Sequence, residues 1–170
     1  LLASSAASDV YKRQPFHKTI SPSMDILVSS NLERLLYLAS GGDAGMVAEK
    51  MHQLEQRGWY QIDDGLLQKI QETFLCGCCD DPLTCETIRN VWAQEHYLLD
   101  PHGACGFRAL KEGLKSGEIG VFLETAHPAK FLETVEGIIG ETVEIPAKLK
   151  AFMQGEKQSL SMTKEFAEFK

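Results

Sequence analysis

The stretch IGVFLETAHPAKF, residues 119–131, determines how the rest of the chain is interpreted. The run Ile119–Glu124 is mostly apolar, too short for a helix and ends at Thr125, which predicts a buried β-strand. Pro128 is then a good first residue for a helix, with His127 as its cap. A strand followed by a helix indicates an α/β protein. One strand cannot form a sheet, so we expect its partner strands to lie in another part of a longer chain.

Thr125 is the strongest candidate for a binding residue in this stretch. Ligands of open α/β sheets bind beyond the carboxyl ends of the strands, and Thr125 directly follows the predicted strand. Its hydroxyl can donate one hydrogen bond without carrying a charge. The pattern leaves open whether Thr125 binds a ligand or only ends the strand. Lys130 lies in the first turn of the next helix, a position that suits a Schiff-base lysine but also an ordinary solvated one.

Most of the remaining chain has the periodicity of amphipathic helices. The sequence predicts helices that begin near Ser30, Asp43, Asp64, Asp81, Phe107, Pro128 and Pro146. In the first of these, Ser30 and Glu33 form a capping-box pattern. The segment DPHGACG, residues 100–106, is interpreted as a turn-like break. Gly58 and Gly140 are predicted to end two of these helices. Phe74, Val135 and Phe152 have the spacing of residues on the inward faces of their helices.

The composition is typical of a globular protein. Of the 170 residues, 44% are hydrophobic and 24% are charged, and the length is sufficient for one domain with a sizeable core. The net charge of −7 argues against a nucleic-acid partner, because no basic stripe offsets it. No apolar run approaches the length of a membrane span, so we expect no membrane partner and a cytoplasmic protein.

The cysteines are the next candidates for a chemical role. They number five, an odd count, and no signal-peptide pattern precedes them, so reduced thiols are expected. They are Cys76, Cys78, Cys79, Cys85 and Cys105. A structural zinc site normally uses two well-separated pairs of ligands, whereas these thiols are crowded and no second pair follows. We therefore predict no metal site, and a cysteine-rich helical module with structural zinc is the alternative of a different class.

The two ends of the chain differ in character. Residues 1–14, LLASSAASDVYKRQ, contain many small residues and no periodicity, and they resemble read-through of a sequencing adapter. We expect this leader to be non-native and exclude it from predictions about the fold. Residues 15–170 show no internal repeat and no low-complexity linker, so they are expected to form part of one catalytic fold.

Three separated motifs resemble the bacterial threonine synthase family. They are SPSMDILVSSNLERLLY (Ser21–Tyr37), YLLDPHGACGFRAL (Tyr97–Leu110) and LETAHPAKF (Leu123–Phe131), in the order and spacing of that family. The resemblance covers essentially all of residues 15–170. It implies the helix-rich C-terminal portion of an α/β fold shared with tryptophan synthase β (fold type II), with an incomplete sheet. It also implies the cofactor pyridoxal 5'-phosphate and the conversion of O-phosphohomoserine and water to threonine and phosphate.

The resemblance also implies roles for particular residues. Thr125 corresponds to the hydroxyl residue that hydrogen-bonds the pyridine nitrogen of the cofactor. Ser29, Ser30 and Asn31 would lie near the substrate end of the pocket, although a simple helix cap explains Ser30 equally well. Nothing in the chain matches the family's Schiff-base lysine segment or its glycine-rich phosphate loop, which lie upstream, and Lys130 does not replace that lysine. The 170-residue chain alone is therefore expected to be inactive.

Two further alternatives remain open from the sequence. One is another pyridoxal-phosphate-dependent lyase of the same fold, acting on a different amino acid. The other is a remnant without function, which the adapter-like start would suit. The unbroken capping and packing signals after residue 15 favour recent truncation over long decay.

Overall fold

The computed structural model describes residues 10–12 and 16–169, and it is built mainly from helices. The strands are β1 (Val10–Lys12) and β2 (Trp59–Gln61). The α-helices are α1 (Ser30–Ala39), α2 (Ala44–Arg57), α3 (Asp64–Gln71), α4 (Asp81–Glu95), α5 (Pro101–Gly113), α6 (Leu132–Ile139), α7 (Ala147–Met153) and α8 (Phe166–Phe169). Two 3-10 turns, Pro22–Met24 and Pro128–Phe131, precede α1 and α6. None of the helices in the described ranges combines the length and apolarity needed to cross a membrane.

The N-terminal half packs around a two-stranded antiparallel sheet. β1 and β2 pair with Tyr11 opposite Tyr60, and the two rings stack at 5.2 Å between centroids. Helices α1, α2 and α3 cover this sheet with buried leucines and isoleucines such as Leu36 and Ile70. Tyr11 thus has a place in the core although it lies in the leader predicted to be non-native. That prediction about residues 1–14 stays a prediction, and residues 1–9, 13 and 14 lie outside the described part of the chain.

The C-terminal half packs around α4, α5 and α6. Ile88 of α4 and Leu99, just before α5, are fully buried in one cluster. Val135 of α6 is fully buried in an adjoining cluster, which confirms the predicted inward face of that helix. Phe122 reaches the first cluster and packs edge-on against Phe107 of α5, with 5.4 Å between ring centroids. This contact fastens the segment before Thr125 to α5.

The run Ile119–Glu124, predicted to be a buried strand with partner strands elsewhere in a longer chain, has no such partners in the described residues and one of its faces is exposed. The segment forms no β-strand and pairs with no strand in the described part of the chain. Ile119, Val121 and Leu123 are 96%, 83% and 77% exposed, whereas the alternate residues Gly120, Phe122 and Glu124 are partly buried. The alternation is that of an extended chain with one face on α5 and the other in solvent. A continuous apolar run predicted burial on both faces, and only the contact partners determine how many faces are covered.

Several local predictions at helix ends are confirmed. Asp43 caps α2, since its carboxylate accepts a hydrogen bond from Met46 N at 2.8 Å. Gly58 ends α2 and Gly140 ends α6, with φ of +79° and +73°, a conformation that favours glycine. His127 caps the 3-10 turn, because its Nδ1 accepts from Ala129 N at 3.1 Å.

Other local predictions are wrong. The segment DPHGACG is not a turn but contains the first turns of α5, which begins at Pro101 with Asp100 as its cap. Helix α1 is capped by Ser29 rather than Ser30, and the cap makes no side-chain hydrogen bond. Phe74 lies beyond the end of α3 and is 47% exposed, and Phe152 is 81% exposed on α7. Periodicity identifies a face of a helix but cannot show whether another element covers it.

Candidate functional site

Thr125 lies on a large cleft in the C-terminal half. The cleft has a volume of about 1000 Å³, and the residues that line it come from the segments 92–98, 124–128 and 139–146. Of the residues on this cleft, Thr125 and Tyr97 are exposed and Trp92 is half-buried. Part of the lining is apolar and aromatic, and the rest is polar, including Thr142, His127, Glu124, Glu141 and Glu144. The apolar and aromatic part suits a flat organic ligand, and the Thr125 hydroxyl can hydrogen-bond a polar ring atom.

Glu124, the residue before Thr125, turns its carboxyl away from solvent. Oε1 accepts a hydrogen bond from the backbone N–H of Asp100 at 2.8 Å. Oε2 is buried and has no hydrogen-bond partner among the described residues. Burial, together with the neighbouring Asp100 carboxyl, raises the pKa of Glu124 to about 7. A carboxyl in this position therefore carries its proton over much of the acidic range.

Asp100 and His102 continue this network at the start of α5. Asp100 is fully buried, and its carboxylate accepts hydrogen bonds from the backbone N–H groups of His102 at 2.9 Å and Gly103 at 3.3 Å. Burial opposes ionisation of Asp100, but the neighbouring Glu124 carboxyl and the hydrogen bonds from His102 and Gly103 outweigh it and lower its pKa. His102 Nδ1 lies 2.8 Å from Asp100 Oδ1, while its Nε2 accepts from Ser23 N at 3.1 Å. Since Nε2 is an acceptor, the proton is on Nδ1, which donates to Asp100.

The same network holds the turn that precedes α1. Thr19 donates two hydrogen bonds to the carboxylate of Asp25. Its backbone N–H donates to Oδ2 at 2.9 Å and its hydroxyl donates to Oδ1 at 2.8 Å. Ile20 N donates to Asp81 Oδ1 at 3.0 Å, which ties the turn to α4. Together with the bond between Ser23 and His102, these contacts bring the three motifs of the sequence analysis to one place in the fold.

The predicted site residues are not all in that place. Thr125 lines the cleft, whereas Ser29, Ser30 and Asn31 do not. Asn31 Oδ1 accepts a hydrogen bond from Arg34 Nη1 at 2.6 Å, on the exposed face of α1. The expected role of these three residues at the substrate stays a prediction. Lys130 is exposed and also lies off the cleft.

Sequence reasoning missed Glu124, Asp100 and His102. An Asp-Pro pair at residues 100–101 is a helix-start signal of the same kind as Asp81-Pro82, and it could have revealed the cap. Nothing in the sequence could show that Glu124 turns inward, because that depends on a contact 24 residues away along the chain.

The cysteines of the described residues do not form a cluster that could bind a metal ion. In residues 10–12 and 16–169 there is no group of three or more Cys, His, Asp or Glu side chains that could hold a metal ion. Cys79 accepts a hydrogen bond from the hydroxyl of Thr84 at 3.2 Å, and burial raises the pKa of its thiol to about 11. A thiol with this pKa is a poor nucleophile at neutral pH.

Comparison with known proteins gives a consistent result. A family model described as "Threonine synthase, C-terminal" matches residues 103–170. Threonine synthase of Pseudomonas aeruginosa is 38% identical over 159 residues, which are 92% of this chain and 34% of that protein. Threonine synthase of Saccharomyces cerevisiae is 37% identical over 139 residues, 71% of this chain and 27% of that protein.

Solved structures extend the likeness to the fold. The crystal structure of pyridoxal-phosphate-bound threonine synthase from Brucella melitensis is similar with a TM-score of 0.86 and 38% identity, over 92% of this chain and 34% of that one. The crystal structure of yeast threonine synthase is similar with a TM-score of 0.80 and 28% identity, over 92% of this chain and 36% of that one.

The helix-rich fold is thus that of the pyridoxal-phosphate-dependent α/β enzymes to which threonine synthases belong. The chain is similar to threonine synthases over 92% of its own length. It spans about a third of the length of the relatives that it matches.

Proposed function

We propose that this chain is the C-terminal part of a threonine synthase, with residues 15–170 belonging to its catalytic fold. The whole enzyme would convert O-phosphohomoserine and water to L-threonine and phosphate. The observation that carries the proposal is the position of Thr125, whose hydroxyl lies on the large cleft in a chain that is 38% identical to a pyridoxal-phosphate-bound threonine synthase. Phosphohomoserine as substrate rests on the family alone.

The residues on the cleft fit pyridoxal phosphate in part. When bound, that cofactor supplies an electron-withdrawing ring that stabilises negative charge on the carbon next to the amino group of the substrate. Thr125 would donate a hydrogen bond to the ring nitrogen. Because a hydroxyl is neutral and its proton is not readily transferred, this nitrogen would stay largely unprotonated, and the electron withdrawal would be moderate. Apolar and aromatic neighbours such as Trp92 would exclude water from one side of the ring.

The covalent anchor must come from another part of the enzyme. No lysine lines the cleft in the described residues, and Lys130 is exposed away from it. We therefore expect the 170-residue chain alone to be inactive and to bind the cofactor weakly. A stable visible absorbance band of the kind that a lysine-bound cofactor produces, formed by this chain alone, would contradict this expectation.

A chimera tests the proposed function directly. In it, residues 16–170 replace the matching C-terminal third of the Pseudomonas aeruginosa threonine synthase. We expect the chimera to support growth, without added threonine, of a bacterium that lacks its own threonine synthase. The acceptor without the inserted chain is the control and should not support growth. A chimera that folds and binds the cofactor but does not release phosphate from O-phosphohomoserine would refute the proposed reaction.

Substitution of Thr125 in the chimera tests the cofactor contact. Thr125→Val keeps the shape of the side chain but removes the donor, and we expect roughly threefold to tenfold weaker cofactor binding, as for the loss of one neutral hydrogen bond. Thr125→Ser retains the hydroxyl and is the matched control, with near-parent affinity. Equal affinity of the valine variant and the parent, measured by titration of the cofactor absorbance, would remove Thr125 from the site.

A further inference from the structure

We propose that Glu124 is a positioning residue that holds Thr125 at its place on the cleft by docking its own carboxyl into the start of α5. This inference rests on the proposed function, because it assigns Glu124 a task in cofactor binding. Three features of the structure carry it. They are a hydrogen bond, the space beside Gly103 that the Glu124 carboxyl fills (the cradle), and the position of Glu124 next to Thr125 in the chain.

The hydrogen bond attaches Glu124 to the cap of α5. Oε1 accepts from Asp100 N at 2.8 Å, and Asp100 is itself fully buried and caps the helix. The segment 119–124 makes no strand hydrogen bonds in the described part of the chain, so this side-chain bond and the packing of Phe122 on Phe107 hold it to the fold.

The cradle is formed by the absence of a side chain at Gly103. A Cβ atom placed there would overlap the Glu124 carboxyl, at 2.7 Å from Oε1 and closer still to Oε2. Gly103 is buried in the first turn of α5, so the carboxyl occupies a space that exists only because residue 103 is glycine. The other glycine in this part of the helix makes no such close contact. A Cβ atom placed on Gly106 would meet no atom within 4 Å among the described residues.

The position in the chain links the carboxyl to the cofactor contact. In an extended chain, neighbouring side chains point to opposite sides, so docking Glu124 against α5 directs Thr125 toward the cleft. Glu124 also contributes to the lining of the cleft beside Thr125, while its carboxyl group is buried against the start of α5. The charged and titratable side chains in this network are Asp100 and His102 of the α5 start, which contact each other. A displaced Glu124 carboxyl would therefore displace the Thr125 hydroxyl with it.

Alanine substitutions at the two glycines provide the test, made in the chimera that contains this chain. We expect Gly103→Ala to push the Glu124 carboxyl out of its cradle and weaken cofactor binding about as much as Thr125→Val does. Gly106→Ala is the matched control on the same helix and should leave cofactor affinity at the parent value. In a Glu124→Ala background, which is itself weakened, Gly103→Ala should have no further effect.

Glu124→Gln distinguishes positioning from a general loss of stability. The amide keeps the size of the side chain and an oxygen that can accept from the Asp100 N–H. The cofactor affinity of Glu124→Gln should therefore be near the parent value, whereas that of Glu124→Ala should be lower. Unchanged cofactor affinity in both Gly103→Ala and Glu124→Ala, with folded protein, would overturn the proposal. So would an equal loss in Gly106→Ala.

A second measurement does not depend on cofactor binding. Amide hydrogen exchange at Asp100 in the 170-residue chain reports its hydrogen bond to Glu124, and this amide should exchange faster in Glu124→Ala and Gly103→Ala but not in Gly106→Ala. Unaltered exchange in the first two variants would overturn the docking of the carboxyl. If the parent chimera binds no cofactor, the proposed function fails and the cofactor role of Glu124 with it, while the exchange data still decide the docking.

Discussion

At the scale of single residues, the unusual feature is a pair of acidic groups that share a buried position. Burial and the nearby Asp100 carboxyl raise the pKa of Glu124 to about 7, while hydrogen bonds overcome the burial of Asp100 and lower its pKa. Below about pH 7, Glu124 therefore holds its proton while Asp100 is ionised, and this avoids two like charges side by side. The hydrogen bond from His102 Nδ1 stabilises the charge on Asp100.

The opposite pKa shifts predict how stability depends on pH. The pKa of Glu124 is higher in the folded chain than the usual unfolded value of about 4.3, so the folded state binds more protons between these values. The free energy of unfolding should thus fall as pH rises from about 4.5 to about 7. The contribution of Asp100, whose pKa is lowered, has the opposite sign and is lost as pH falls in the acid range.

Glu124→Gln should flatten this dependence. The amide cannot titrate, so the melting temperature of the variant should change less between about pH 4.5 and about pH 7 than that of the parent. Glu55→Gln, at an exposed position on α2, is the control and should keep the parent profile. A Glu124→Gln profile that parallels the parent across this range would contradict the assignment.

At the scale of elements, the four helices α2 to α5 each have an aspartate that caps the first turn. Asp63 accepts a hydrogen bond from Leu66 N at 2.9 Å at the start of α3, and Asp80 does the same for Leu83 N in α4. Each bond satisfies a backbone donor that the helix itself cannot satisfy. These contacts are local, since donor and acceptor are three residues apart.

Removal of one cap should destabilise the chain by a measurable amount. We expect Asp63→Ala to lower the free energy of unfolding by about 1 kcal/mol, as typical of an aspartate cap. Asp64→Ala, one residue later and inside the first turn rather than at the cap, should cost less than about half as much. Urea unfolding of the two variants measures the difference, and equal losses would show that charge near the helix end matters more than the cap.

At the scale of the whole molecule, the described part of the chain leaves one extended apolar edge uncovered. Ile119, Val121 and Leu123 point into solvent along the segment that leads to the proposed cofactor contact. Exposed extended segments of this kind pair readily with other chains. In the proposed whole enzyme, strands of the upstream part would cover this edge.

The uncovered edge predicts that the 170-residue chain alone associates with itself. Val121→Lys adds a charge at a position that is 83% exposed, and we expect it to reduce light scattering at a given concentration without lowering the melting temperature. Phe122→Lys is the contrasting variant, because Phe122 packs on Phe107 and its loss should lower the melting temperature. A parent chain that is monodisperse at high concentration would contradict the prediction.

The features that could be predicted from the amino-acid sequence are mostly local. The helix starts at Asp43 and Asp81 and the glycine ends at Gly58 and Gly140 follow from interactions within four residues, so the pattern predicts them correctly. The family resemblance identified Thr125 as a candidate, and the structure places it on the large cleft.

Which faces are covered, and which side chains meet, became clear only from the packing of the elements. Phe74 and Phe152 have the spacing of core residues, but both are largely exposed in the described part of the chain. The run Ile119–Glu124 has the composition of a buried strand, yet only its alternate residues are partly buried. The contact of Glu124 with Asp100 joins residues 24 apart, so no local pattern encodes it. Burial and long-range pairing depend on which elements come together, and this explains why the sequence predicted the helix ends better than the surroundings of Glu124.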